Sequence, residues 1–387
     1  MILAGLFNSK YILSRDRHAW VDYARGICII LVCYRHTYEG LTNAAVLGPE
    51  NYPLLKYLNV FFFSFRMPLF FIVSGMFIGL SLQRKGVVSY IKDRFRFIFY
   101  PCLVWGVIQI TLQLLFRNYV NAEREPMDYL YLVIAPRKIE QFWYLNALFG
   151  VGALYAFLKI KAKLRAYQQF ILGIAMYAIS AACTIYYIDI GLLSDVFFFY
   201  PFFALGDMMA HVVVNAHKGS FIASRRMFVL WLPVFFAAQY FFTTINLQHG
   251  NDYYVQHFQP ALFAAIALTG CIFVVNVSFL LQEWSVAKFL RVIGYHSLYI
   301  YVMHLMIIAA FRAFYLKILH GQNLPLFMTA GVLLGIFVPI IIYNLAEKAG
   351  MSWLFILKKK EKPADAQMNN KPGEKPALEK RARAIML

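Results

Sequence analysis

The sequence predicts an all-α, polytopic membrane protein with about ten transmembrane helices, because of its composition and its recurrent apolar runs. Of the 387 residues, 61% are hydrophobic and only 14% are charged, and the mean hydropathy is +0.59. Soluble globular domains have a lower apolar fraction than this. An apolar run of about 20 residues crosses a bilayer as a helix, because lipid offers the backbone no hydrogen-bond partners.

Ten apolar runs have the length of a transmembrane helix. The fourth run is short and the boundary between the fifth and the sixth is indistinct, so nine or eleven spans stay open as alternatives. The predicted spans are 20–41, 56–80, 97–116, 142–158, 168–188, 192–214, 227–246, 258–282, 293–315 and 325–347.

The distribution of Lys and Arg predicts that both termini are cytoplasmic. With that orientation the inner loops 81–96, 159–167, 215–226 and 283–292 carry fourteen basic residues, and the outer loops carry six. Cytoplasmic loops of membrane proteins are enriched in Lys and Arg. The net charge of +18 therefore reflects membrane topology, and no nucleic-acid partner is predicted.

Residues 1–350 are predicted to form one transmembrane domain, and residues 351–387 a basic cytoplasmic tail. The tail is rich in Lys, Ala, Pro and Glu and is expected to be disordered, because it cannot bury a core. The first apolar run is expected to remain as an anchor. The five cysteines all lie in apolar runs, without CxxC or His/Cys ligand spacing, so neither a disulfide framework nor a metal site is predicted.

The first predicted span carries five ionisable residues, Asp22, Arg25, Arg35, His36 and Glu39. Such groups are costly in a bilayer and usually face a bundle interior or a wet cavity. Arg25 precedes His36 by eleven residues and Asp22 precedes it by fourteen, about three and four helical turns, so the three share one face. At ~1.5 Å per residue, Arg25 in the inner half lies roughly 16 Å from His36 in the outer half.

Structural roles compete with functional ones for these residues. Arg25 is also explained as a topology signal that snorkels to the interface, and His36 as a helix–helix hydrogen-bonding residue. Residues 88–98, VSYIKDRFRFI, form an amphipathic stretch that includes Arg94 and Arg96. This stretch is explained either by an interfacial helix at the lipid headgroups or by a cationic surface for the phosphates of a cytoplasmic donor.

Three further stretches carry a family resemblance. They read FRMPLFFIVSG at 65–75, WYL at 143–145 and IGYHSLYIYVMH at 293–304. Together with the first span they resemble the acyltransferase-3 family, most strongly the branch of fucose O-acetylases and exopolysaccharide acetyltransferases. In that family an Arg, ten residues and a His follow one another in the first helix, as Arg25 and His36 do here.

Trp20–Gly26 matches the setting of that family's first-helix Arg, and the last stretch ends in His304, as in the family. The sequence departs from the family pattern at two positions. Arg66 stands where the family usually has His, and Arg35 stands in place of a small residue.

The resemblance implies transfer of an acyl group, expected to be acetyl, from cytoplasmic acetyl-CoA to a sugar hydroxyl of an envelope or exported polysaccharide. It places the protein in the bacterial inner membrane, with acyl-CoA, a glycan acceptor and the bilayer as partners and with no metal. On this interpretation His36 is the base that takes the hydroxyl proton. His304 is a second candidate base or a positioning group.

The remaining site residues are cationic or support a cation. Arg25 holds a phosphate or the thioester end of the donor, and Asp22 orients Arg25. Arg66 stabilises negative charge on the acyl oxygen. Arg94 and Arg96 are the further donor-binding candidates.

Two alternatives stay open at this point. His36 either acts as a base in direct transfer or carries the acyl group transiently. The competing function is that of a non-enzymatic transporter or flippase for a lipid-linked or anionic glycan. The sequence shows no clear inverted repeat and no paired interrupted helices, which counts against transport.

Overall fold

The computed structural model of the chain describes residues 7–14, 18–117, 122–216 and 219–357. These residues form helices and connecting turns, without a β-strand. In chain order the α-helices are α1 (Ser9–Leu13), α2 (Ala19–Thr42), α3 (Pro53–Phe61), α4 (Arg66–Met76), α5 (Ile78–Arg94), α6 (Tyr100–Leu115), α7 (Asp128–Ile134), α8 (Trp143–Ile160), α9 (Ala166–Ile185), α10 (Leu192–Val214), α11 (Arg225–Gln248), α12 (Tyr254–Phe258), α13 (Pro260–Trp284), α14 (Phe289–Tyr295), α15 (Ser297–Lys317) and α16 (Leu324–Lys348).

The all-α polytopic fold is confirmed. Within the described ranges, nine helical segments are long and apolar enough to cross a membrane. The 24-residue helix α2 is not one of the nine, because it contains Asp22, Arg25, Arg35 and Glu39. It is long enough to cross at ~1.5 Å per residue, and it brings the number of spans to the predicted ten.

Two of the predicted spans are interrupted. The second, predicted as 56–80, consists of α3 and α4 with a turn at residues 62–65 between them. The ninth begins at Ser297, because the chain leaves helical geometry at His296 after α14. Between α5 and α6 the chain forms one π-helical turn, Phe95–Phe99, a feature that is frequent at functional sites.

Helix α2 lies inside the bundle and packs against α4, α13, α14, α15 and α16. Its contact with α14 is made by backbone on both sides. A Cβ added at Gly26 would lie 2.2 Å from the Leu290 carbonyl oxygen, and one added at Gly294 would lie 1.8 Å from the Asp22 carbonyl oxygen. Small residues permit such close helix crossings in membranes. The crossing fixes the depth of the neighbouring Arg25.

Helices α2 and α15 run in the same direction. Arg25 near the start of α2 and Ser297 at the start of α15 line one cavity, and Arg312 of α15 bonds to Gly40 near the end of α2. Seven of the apolar segments lie between these two helices in the sequence. Seven intervening crossings return the chain to the same direction, in agreement with ten spans in total.

The last described residues, 351–357, fold back onto the bundle. Phe355 is fully buried, with its ring 5.4 Å from that of Trp105 and 5.1 Å from that of Tyr343. The first residues of the predicted tail thus belong to the folded domain. The rest of that tail, residues 358–387, lies outside the described part of the chain.

Candidate active site

A cavity of about 840 Å³, here called the outer cavity, lies at the end of the bundle that the loop charges assign to the outside. Its volume is in the range of small-molecule binding sites. Its charged and polar lining residues are Arg35, His36, Glu39, Asn43, Ser64, Arg66, Gln109, Gln113, Arg137, Glu140, Tyr253, Gln256, Tyr301 and Arg312. Its other aromatic lining residues are Phe63, Phe116, Trp143, Phe199 and Phe263.

His36 lines the outer cavity, with 23% of its side chain exposed. Its Nδ1 lies 3.4 Å from Oε2 of Glu39, one turn further along α2. A carboxylate accepts hydrogen bonds, so this contact favours the tautomer with the proton on Nδ1. In that tautomer Nε2 carries the free lone pair that a general base requires.

His304 lies beside His36 but does not line the outer cavity. The ring centroids of the two imidazoles are 5.2 Å apart, and His304 is fully buried. Its Nδ1 lies 3.0 Å from the carbonyl oxygen of Ile300 and 2.8 Å from that of Tyr301. Carbonyls only accept, so Nδ1 carries the proton and Nε2 is a buried acceptor, without a hydrogen-bond partner among the described residues.

Arg35 holds Glu39 in place from the other side. Its guanidinium forms an ion pair with Glu39 and donates to the hydroxyl of Tyr253 at 2.5 Å. It also lies 4.6 Å from the ring centroid of Phe63 and 4.9 Å from that of Tyr253. The chain Tyr253–Arg35–Glu39–His36 therefore connects an outer loop to the imidazole through charge-assisted hydrogen bonds.

Arg66 is 3% exposed and begins α4, directly after the interruption at residues 62–65. Its Nη1 donates to the Leu31 carbonyl oxygen of α2 at 2.8 Å. Pro68, in the first turn of α4, has no backbone N–H group and therefore needs no hydrogen-bond acceptor there. The first amides of an α-helix lack intrahelical partners and carry a partial positive charge. Arg66 and the N-terminus of α4 thus bring positive charge to the cavity wall that also holds His36.

A second cavity of about 50 Å³, here called the inner cavity, lies toward the opposite end of α2. Its polar lining residues are Arg25, Ser74, Arg94, Tyr144, Ser297 and Tyr301. Asp22, one turn before Arg25, interacts with it electrostatically. Arg94 is 3% exposed and donates to the Leu148 carbonyl oxygen at 3.2 Å.

The structure thus separates the predicted site residues into two groups. Arg25 and Arg94 share the inner cavity, and His36 and Arg66 share the outer cavity. Arg96 lines neither cavity, and its Nε donates to the Leu357 carbonyl oxygen at 2.8 Å.

Tyr301 is the residue that lines both cavities. Its hydroxyl donates to the Gln141 carbonyl oxygen, and its ring centroid is 5.0 Å from that of Tyr144. It is 4% exposed and lies one turn before His304 on α15. Its side chain thus lies at the boundary between the cavity that holds Arg25 and the cavity that holds His36.

Four residues of the candidate site were not predicted from the sequence: Glu39, Tyr253, Tyr301 and Arg312. Glu39 could have been predicted from the sequence, because it follows His36 at the i,i+3 spacing of one helical face. Tyr253 and Arg312 could not have been predicted, because their partners in α2 are 218 and 272 residues away in the sequence.

Comparison with known proteins identifies the family. A family model described as an acyltransferase domain matches residues 18–344, which include both cavities. Neither the curated proteins nor the solved structures include a match to the chain. Because the matched range extends over far more than half of the sequence, the chain belongs to the acyltransferase-3 family of membrane acyltransferases.

Proposed function

We propose that the protein is an O-acyltransferase that moves an acyl group, expected to be acetyl, from cytoplasmic acyl-CoA to a sugar hydroxyl of a bacterial envelope or exported polysaccharide. One observation carries the proposal. Two cavities lie along the same pair of parallel helices, one lined by Arg25 and Arg94 and the other by His36, and Tyr301 lines both. Family membership supports acyl transfer, and the resemblance to sugar O-acetylases supports the glycan acceptor.

The inner cavity suits the reactive end of the donor. A guanidinium donates to phosphate and to carbonyl oxygens, and its planar fork holds them in a fixed geometry. A volume of about 50 Å³ accommodates a few heavy atoms, so the acyl thioester enters the inner cavity and the nucleotide stays on its cytoplasmic side. Asp22 orients Arg25 for this contact.

The outer cavity suits a sugar. The aromatic side chains of the lining, among them Trp143, Phe199 and Tyr253, supply apolar contacts to sugar rings. Asn43, which is exposed, and Gln256, whose Oε1 has no partner among the described residues, supply hydrogen bonds to hydroxyl groups. The volume of about 840 Å³ leaves room for more than one sugar unit.

In the direct reaction, the thioester end of the donor extends from the inner cavity past Tyr301 to the outer cavity, where Nε2 of His36 takes the proton from the acceptor hydroxyl and the hydroxyl oxygen attacks the acyl carbon. The carbon–sulfur bond then breaks, and the departing thiolate receives the proton from His36 to give free CoA and the sugar ester. Glu39 keeps the imidazole oriented and stabilises its protonated form. Arg66 and the N-terminus of α4 stabilise the negative charge that develops on the acyl oxygen.

The test compares envelope polysaccharide from cells with the gene, without it, and with His36→Gln, at matched membrane levels of the protein. Base-released acetate is expected in the first case and absent in the other two. Equal acetate contents in all three would contradict the proposal. Rapid quenching with labelled acetyl-CoA then separates direct transfer from an acyl-His36 intermediate, which leaves label on the protein.

One feature favours the competing transport function. The interruption at residues 62–65 lies beside the outer cavity, and transporters build substrate sites from interrupted helices. A transporter would change the amount of glycan outside the cell and leave its ester content unaltered. Measuring both quantities in the same cultures distinguishes the two functions.

A further inference from the structure

We infer that the acceptor carries an acidic group, a carboxylate or a phosphate, near the acylated hydroxyl, and that Arg312 binds this group; the inference rests on the proposed function. Among the described residues, four arginines but only two glutamates line the outer cavity. The cavity wall thus has an excess of positive charge before any ligand enters.

Two of these arginines are neutralised within the protein. Arg35 is paired with Glu39, and Arg137 is paired with Asp195, with its Nε 2.9 Å from Oδ1. The second lining glutamate, Glu140, is itself paired with an arginine that lies outside the cavity lining, at 2.5 Å.

The other two, Arg66 and Arg312, have no acidic group within 4.0 Å among the described residues. Each instead donates one hydrogen bond to a backbone carbonyl of α2, at 2.8 Å for Arg66 and 2.6 Å for Arg312. Arg312 is only 7% exposed and lines the outer cavity. A guanidinium removed from water without a counterion is unfavourable, so an anion in the cavity would gain a strong partner.

The two arginines lie on opposite sides of His36. Arg66 contacts Leu31, five residues before His36, and Arg312 contacts Gly40, four residues after it. At ~1.5 Å per residue these contacts are roughly 8 Å inward and roughly 6 Å outward of the imidazole. Arg66 therefore faces the incoming acyl group. Arg312 faces the part of the acceptor that extends outward from the reacting hydroxyl.

A structural role accounts for only part of this arrangement. Gly40 carries one of the last four carbonyls of α2, and basic side chains commonly cap such carbonyls. That bond occupies Nη1 alone. Among the described residues Nε and Nη2 of Arg312 have no partner, and these two nitrogens form the side of the guanidinium that binds a carboxylate or phosphate with two hydrogen bonds.

The first experiment locates the ester. Nuclear magnetic resonance of the acetylated polysaccharide from cells that carry the gene is expected to show a carboxylate or phosphate on the acetylated sugar or on its direct neighbour. A neutral sugar with neutral neighbours overturns the inference and leaves the proposed function intact. Absence of any gene-dependent ester overturns the proposed function itself, and the inference with it.

The second experiment measures kinetics in membranes with acetyl-CoA and the de-O-acetylated polysaccharide. Loss of a charge-assisted hydrogen bond costs about 1.5–3 kcal/mol, so Arg312→Gln is expected to raise KM for the polysaccharide roughly 10- to 100-fold. KM for acetyl-CoA should stay unchanged, and Arg312→Lys should restore part of the affinity. Lys317→Gln removes the same charge from an exposed position of α15 and should behave as wild type. An unchanged polysaccharide KM in Arg312→Gln overturns the inference.

Chemical treatment of the acceptor identifies the acid. Reduction of its carboxylates to alcohols should raise KM as much as Arg312→Gln does, and the two changes together should give no further increase, if the group is a carboxylate. Removal of phosphate should do the same if the group is a phosphate. Equal KM values for native, carboxyl-reduced and dephosphorylated acceptors contradict the assignment.

Discussion

The imidazoles of His36 and His304, on the parallel helices α2 and α15, lie with their ring centroids 5.2 Å apart, and only His36 lines the outer cavity. The two rings therefore occupy non-equivalent positions. His36 is the imidazole that an acceptor reaches. We expect the unpartnered Nε2 of His304 to accept a hydrogen bond from His36 when His36 is protonated.

The first prediction separates the two histidines. His36→Gln is expected to lower the transfer rate roughly 10²–10⁴-fold, because Gln cannot take a proton. His304→Gln is expected to cost only roughly 10- to 100-fold, the equivalent of one hydrogen bond to a charged group at about 1.5–3 kcal/mol. The measurement is the rate of acetyl transfer in membranes, normalised to protein level.

His296→Gln is the control, because His296 is a buried histidine that bonds to Asn344 and lines neither cavity. It is expected to lower the protein level without changing the rate per molecule. A larger loss in His304→Gln than in His36→Gln, at normal protein levels, would exchange the roles of the two residues.

The second prediction concerns Glu39. Glu39→Gln keeps the size of the side chain and an acceptor for Nδ1 of His36 but removes the charge that stabilises the imidazolium. Turnover is expected to fall roughly 10- to 100-fold at saturating acetyl-CoA, with KM for acetyl-CoA unchanged. Glu125→Gln, an exposed glutamate of the outer loop, is the control and should have wild-type turnover. Wild-type turnover in Glu39→Gln would show that Glu39 serves only to neutralise Arg35.

The ten spans were predictable because bilayer thickness imposes a length on every apolar run. The predicted span 192–214 coincides with α10, Leu192–Val214. The interruption at residues 62–65 was not predictable from hydropathy, because the sequence FFSF is as apolar as the helices on either side. Hydropathy registers whether a segment can lie in lipid, and it does not register whether its backbone is helical.

The candidate site was predictable only where it lies on one helix. Helical periodicity placed Arg25 and His36 on a common face, and the cavities lie along that face of α2. The partners of that face come from remote segments. Tyr253 reaches Arg35 from an outer loop, and the register between them depends on how all the intervening helices pack.

The third prediction concerns Arg25. Its guanidinium faces a cavity of about 50 Å³, where a planar fork and a point charge are not equivalent. Arg25→Lys is expected to raise KM for acetyl-CoA or to lower turnover, and Arg25→Ala to do so more severely. Kinetics with varied acetyl-CoA provide the measurement, and Arg84→Lys is the control, at an exposed position of α5 in the segment 81–96 that was predicted as an inner loop and is helical in the structure. Wild-type kinetics in both Arg25 variants would show that Arg25 serves only as a topology signal.

The fourth prediction concerns orientation. A single cysteine at Asp252 in a cysteine-free background should react with an impermeant thiol reagent in intact cells, because the loop charges place this loop outside. A single cysteine at Lys163, in an inner loop, should react only after the cells are opened. The opposite pattern would invert the assignment of donor and acceptor cavities to the two sides.

The last prediction concerns Tyr301, which lines both the cavity proposed for the thioester and the cavity that holds His36. Tyr301→Ala opens a path from the outer cavity to the inner one, so water should reach the thioester more readily. The ratio of CoA released to sugar ester formed is expected to rise above its wild-type value. Tyr301→Phe keeps the ring and loses only the hydrogen bond to Gln141, so its ratio should stay near wild type.

Tyr299→Ala provides the matched control on the same helix. Tyr299 is buried, stacks on Tyr343 at 3.6 Å between ring centroids, and lines neither cavity. Truncation of a buried aromatic residue costs about 3–5 kcal/mol, so both alanine variants should accumulate to lower levels. Only Tyr301→Ala should change the ratio of CoA release to transfer, because Tyr301 lines both cavities and Tyr299 lines neither. An unchanged ratio in Tyr301→Ala would mean that other side chains keep water from the thioester.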